Sequence, residues 1–282
     1  MICPNYSDPQ YLIFSTDVPA LLYYSHFTSI FVSLFLGLFV VFKNRDFLEA
    51  RLLFLISLFF SSWGFINLIT WTNNGSDLII FVWNFFGLFF SLICITSFYF
   101  TFVFINKRYP GATINFILML LLLPVIIFLP TNFNIESFNL ELCGVTEEGF
   151  YYTSYYYALG FLIFLFNLFI LFFGYKKSEY VLKKQILIFG VGVEFFLLSF
   201  FTTGYIASLL MDNSFSIEFV SLFFMTFFMG ILAYVIVKFQ AFNIKLIGTQ
   251  ALVFSLFILI ASQFAFIQNP INRALTGITL IL

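Results

Sequence analysis

The residue whose chemistry is most out of place in this sequence is Glu194. It is the only formally charged side chain deep inside a hydrophobic run, nine residues past Gln185. On a helix that spacing puts it ~13 Å in from the end of the run. A charge there is costly in lipid and should face a bundle interior or a wet cavity. Two chemistries fit. Glu194 is either a ligand, ion or proton site, or a protonated structural carboxyl bonded to a neighbouring helix. It follows Gly190-Val191-Gly192-Val193, whose small residues permit close helix contact. His26, the lone histidine, lies about two turns inside another apolar run. Ser25, Thr28 and Ser29 flank it. It could sense pH or bind a ligand, and a hydrogen-bonded structural role is the preferred reading. Asn67, Asn84, Asn167 and Gln263 are single amides within apolar runs. They are expected to act as interhelical hydrogen-bond glue.

Other chemistry is sparse. No cluster of His and Cys has metal-ligand spacing, and no GxxxxGK[ST] or GxGxxG stretch is present to cradle phosphate. No metal and no cofactor is therefore expected. A net charge of −1 supplies no basic field for nucleic acid. Cys94 is mid-run and reads as an inert core thiol.

The elements that must position these residues are set by composition. The chain of 282 residues is 62% hydrophobic and 9% charged, against about 25% charged in soluble domains. Its solvent is lipid. Eight apolar runs are long enough to consider as spans: roughly 20–42, 52–72, 78–105, 114–129, 151–174, 186–210, 219–237 and 250–267. A ninth begins at Ala274, and its nine residues to Leu282 rise only about 14 Å. The chain therefore looks cut. Continuous runs argue for helices rather than barrel strands. The expected fold class is all-α, a polytopic transmembrane helix bundle. Pro124 should kink the fourth run. The polar start, residues 1–19, has no Lys or Arg and does not resemble a secretory signal.

Basic residues fall in alternate loops. Lys43, Arg45 and Arg51, then Lys107 and Arg108, then Lys176, Lys177, Lys183 and Lys184, then Lys238 and Lys245, make eleven of the twelve. Basic loops stay in the cytoplasm, so the N-terminus is expected outside. The opposite face is acidic, and a solvated acidic surface is its preferred reading. That face carries the longest loop, 130–150, with Cys143, and the tail with Cys3. A Cys3–Cys143 disulfide is open on this oxidising side, with two free thiols as the alternative. Tyr151, Tyr152, Tyr155, Tyr156 and Tyr157 suit an interface belt better than a ligand cage.

The seventh run ends in Ala233-Tyr234-Val235-Ile236-Val237-Lys238-Phe239-Gln240-Ala241-Phe242-Asn243-Ile244-Lys245-Leu246-Ile247. This stretch resembles the one that closes the N-terminal seven-transmembrane sensor region of bacterial membrane histidine kinases. Asn243 stands where many relatives have Asp. The resemblance is specific over about fifteen residues and architectural over the rest. It implies an extracytoplasmic tail (1–19), a seven-helix sensor region (20–245) and a following, truncated hairpin (246–282), in a bacterial inner membrane. Lys238, Phe242, Asn243 and Lys245 would form the juncture where a signal leaves the bundle. An unknown ligand and a homodimer are the implied partners besides the bilayer. No phosphoacceptor helix and no ATP-binding domain is present in the sequence, so the chain is expected to be no enzyme. A small secondary transporter is the alternative, and a ligand-free membrane scaffold a third. Transport would be better supported by several intramembrane charges or paired broken helices.

Overall fold

A long apolar segment in lipid can satisfy its backbone only by bonding to itself, which favours the helix. The computed structural model describes residues 11–15, 18–73, 75–139, 145–210 and 216–239. Among them are seven α-helices: α1 (Ala20–Lys43), α2 (Leu48–Thr72), α3 (Ser76–Asn106), α4 (Ala112–Phe128), α5 (Tyr157–Lys177), α6 (Tyr180–Leu210) and α7 (Ser216–Phe239). Between α4 and α5 an antiparallel hairpin pairs β1 (Ile135–Asn139) with β2 (Val145–Glu148). A π-helical turn, Tyr152–Tyr156, then leads into α5. Five helical segments are long and apolar enough to cross a membrane: α1, α2, α3, Ser154–Lys177 and Tyr180–Ile206. The apolar stretches Ala112–Phe128 and Ser221–Val235 are shorter. The protein is thus a multi-pass, all-α membrane bundle. The eighth and ninth apolar runs lie outside the described residues.

The helices overrun their apolar runs at the basic end. α5 continues through Lys176 and Lys177, and α6 already starts at Tyr180. Long basic side chains tolerate this because their stems lie along apolar surface while the ammonium reaches water. Lys176 lies 4.2 Å from the Phe172 ring centroid and Lys184 4.4 Å from that of Tyr180. Lys107 caps α3 in the left-handed conformation and meets Glu49, in the first turn of α2, at 3.2 Å. The ends of α1, α3 and α5 and the starts of α2 and α6 thereby gather the basic residues at one end of the bundle.

Six helices close a ring in the order α1, α2, α3, α5, α6, α7 and back to α1. Small residues make the seams close. Gly37 of α1 lies against Ser57 of α2, and Ser33 and Ser61 face each other at 3.1 Å across the same seam. α7 returns to α1 through Ser29, whose hydroxyl donates to the Leu222 carbonyl at 2.8 Å. α4 packs on α3 from outside the ring, burying only Leu118 and Val125. The ring axis is filled by aromatics. Trp63 meets Phe200 at 4.8 Å, Phe104 stacks on Phe189 at 4.4 Å, and Phe196 stacks on Phe228 at 5.6 Å. Outward faces are apolar too, as with Phe161, Phe169 and Phe172 of α5. That is the pattern of a surface solvated by acyl chains.

Candidate functional site

The site grows from the seam between α5 and α6. Gly190 of α6 lies against Leu171 of α5, and Phe201 of α6 against Gly160. Both contacts belong to one antiparallel register, so Glu194, one turn along from Gly190, is level with Asn167, one turn before Leu171. On α6 the sequence Gly190, Glu194, Phe201 advances by whole helical turns and stays on the stripe that faces α5. α3 runs parallel to α5. Phe90 meets Gly160, the Phe98 and Phe166 rings are 6.4 Å apart, and Ile105 meets Gly174. Ser97 is therefore level with Asn167 as well. Three polar side chains from three helices share one depth in the bundle.

All three are shut away from solvent and lipid. Ser97 and Asn167 are fully buried and Glu194 is 8% exposed. Among the described residues, Ser97 Oγ, both polar atoms of the Asn167 amide and both Glu194 carboxyl oxygens have no hydrogen-bond partner. Buried polar groups are normally paired, and leaving one unpaired costs about 1–3 kcal/mol. No basic residue of these helices comes close. Lys184, the nearest on α6, is ten residues before Glu194, ~15 Å along the axis. Asn167 and Asn84 thus depart from the expected interhelical bond, Asn84 bonding the Ile80 carbonyl of its own helix and accepting from Asn134 ahead of the hairpin, whereas Asn67 reaches His26 on α1.

His26 belongs to a different seam. It is 1% exposed. Its Nδ1 lies 2.7 Å from the Leu22 carbonyl, which can only accept, so Nδ1 carries a proton and donates. Ser25 Oγ is 3.2 Å from the same nitrogen. Asn67 of α2 interacts with the ring from across the α1–α2 seam. The structure therefore places His26 against α2 and Glu194 against α5.

The hairpin end holds an aromatic and amide knot. Asn134 donates to the Asn84 side-chain oxygen at 3.0 Å, and Tyr156 donates to Asn134 Oδ1 at 3.0 Å. Tyr156 is 2% exposed and its ring lies on Gly87, where no side chain intervenes. Tyr156 is thus a core residue and departs from the expected interfacial belt. Tyr155 reaches α4, donating to the Leu121 carbonyl at 2.6 Å. That carbonyl lies three residues before Pro124, beside the turn where proline withholds a backbone donor.

Of the remaining sequence-level candidates, Cys94 is a buried free thiol. Lys238 falls in the last turn of α7. Phe242, Asn243, Lys245, Cys3 and Cys143 lie outside the described residues. Sequence reasoning passed over Ser97, since a serine in a span is unremarkable until its depth relative to Glu194 is known. Compared with protein-family models, curated proteins and solved structures, the chain matches none.

Proposed function

We propose that this chain is the membrane-embedded input region of a bacterial two-component sensor kinase, without kinase activity of its own. The observation that carries the reading is the basic, amphipathic stretch from Ala233 to Ile247, which resembles the exit from the sensor region of membrane histidine kinases. The fold is compatible with it. A ring filled along its axis by Trp63, Phe196 and Phe200 has an off-axis buried polar site. Such a bundle suits a shift between two packings better than passage of a solute. A ligand would bias that shift only by binding the two packings differently. The N-terminus is outside the cytoplasmic membrane and the basic end inside, following the Lys/Arg distribution. A homodimer is the assembly proposed.

The reading frame of the gene tests the proposal. Followed past the Leu282 codon, it is expected to continue into a phosphoacceptor helix and an ATP-binding domain. A stop codon there in the intact genome would sink the kinase reading. The second reading is a small secondary transporter, which the buried carboxyl of Glu194 favours. Solute uptake by vesicles that Glu194→Gln abolishes would select it.

A further inference from the structure

We infer that Glu194, Asn167 and Ser97 form an intramembrane binding site for one monovalent alkali cation. The inference does not depend on the chain being a sensor. It starts from the five polar atoms of these residues, which have no hydrogen-bond partner among the described residues, and from the shared depth that the α3, α5 and α6 registers give them. An ionised carboxylate in so dry a position needs a counter-charge. Among the described residues of α3, α5 and α6, none is nearby. Lys184 is ten residues from Glu194, Lys176 nine from Asn167 and Lys107 ten from Ser97, each ~14–15 Å along its helix.

The donor set defines the ligand. Carboxylate, amide and hydroxyl oxygens are hard ligands suited to hard cations, whereas soft metals select thiolate and imidazole. Only one of the three residues is anionic. A monovalent cation leaves the site neutral, whereas a divalent one would strand a positive charge in a low-dielectric seam. The oxygens do not bond one another in this arrangement, so a cation joining them would draw α3, α5 and α6 together at that depth. The same ligation would supply partners for the carboxylate, amide and hydroxyl oxygens, which otherwise carry a desolvation cost, while the Asn167 amide nitrogen, a donor, is not a ligand.

The full chain, purified in detergent, tests this at one alkaline pH. Its thermal unfolding is followed in sodium, potassium and choline chloride at matched ionic strength, together with equilibrium binding of radiolabelled sodium. Sodium or potassium is expected to stabilise the protein beyond choline. The gain should reach about tenfold in the folded-to-unfolded ratio once the cation is tenfold above its dissociation constant. Glu194→Gln, nearly isosteric, should fold and lose both the alkali effect and the binding. Asn167→Ala and Ser97→Ala should weaken binding without abolishing folding. Equal behaviour in all three salts would overturn the site, and so would an alkali effect that survives Glu194→Gln. The outcome is separate from the reading-frame test, since a cation site stands with or without a kinase core downstream.

Discussion

At position 194 a carboxyl group sits 8% exposed between helices, with no partner for either oxygen among the described residues. Such a group is tolerated only at a cost to stability. In choline chloride, with no alkali cation present, replacing it with an apolar side chain of similar size, Glu194→Leu, is expected to stabilise the bundle by about 1–3 kcal/mol. Unfolding in mixed detergent micelles would measure it. A loss of stability would instead reveal a bond that holds the carboxyl in place. His26 predicts the opposite sign. Its Nδ1–H donates to the Leu22 carbonyl and its ring interacts with Asn67 across the seam. His26→Leu should therefore destabilise, by about 1–3 kcal/mol if the Asn67 amide is left unpaired.

The elements are locked by a few close contacts at their ends. Gly87 of α3 is the seat of the Tyr156 ring, and a methyl group there would fall within that ring. Gly87→Ala is expected to cost about 1–3 kcal/mol through overpacking. Combining it with Tyr156→Val should recover part of that loss. A double variant no better than the single would place the strain elsewhere. The hydroxyl of Tyr155 ties the α5 entry to α4 through the Leu121 carbonyl. Tyr155→Phe should cost about 1 kcal/mol. Its effect should show first as faster hydrogen exchange in α4, which the ring leaves outside and whose main helix neighbour is α3. Exchange unchanged in α4 would mean that α4 is held by other contacts. The Glu49–Lys107 pair at the other end is less consequential. Lys107 is more than half exposed there although Glu49 is largely buried, and screening of the exposed ammonium keeps the pair at about 1 kcal/mol.

At the scale of the whole molecule, the ring order joins the last described helix to the first. A displacement of α7 is therefore felt by α1 through Ser29, Leu222 and Thr226, and by α6 through Phe196 and Phe228. In a sensor this coupling would let packing changes in the ring reach the α7 exit. Orientation has its own test. In a chain whose three native cysteines are replaced by Ser, Lys176→Cys should react with an impermeant thiol reagent only from the cytoplasmic side. Asn132→Cys, next to the hairpin, should react only from outside. Reversal of the two would invert the proposed topology.

Sequence by itself determined the class of this protein and the location of its helices. Runs of apolar residues in lipid leave the backbone no other partner than itself, and so α1 begins at Ala20 and α2 ends at Thr72, as the runs do. It also marked Glu194, because a carboxyl in such a run is anomalous on composition alone. It did not give Ser97 or Asn167 their place beside it. Their shared depth depends on the offsets between α3, α5 and α6, which are fixed by Gly160, Gly174 and Gly190 against the side chains they meet. Nor did the abundance of Phe, 48 residues, say which rings face lipid and which fill the axis. Apolar residues are equally at ease in both environments, so hydropathy carries no inward direction in a membrane. Only packing decided that Phe196 and Phe200 close the axis while Phe195 faces out.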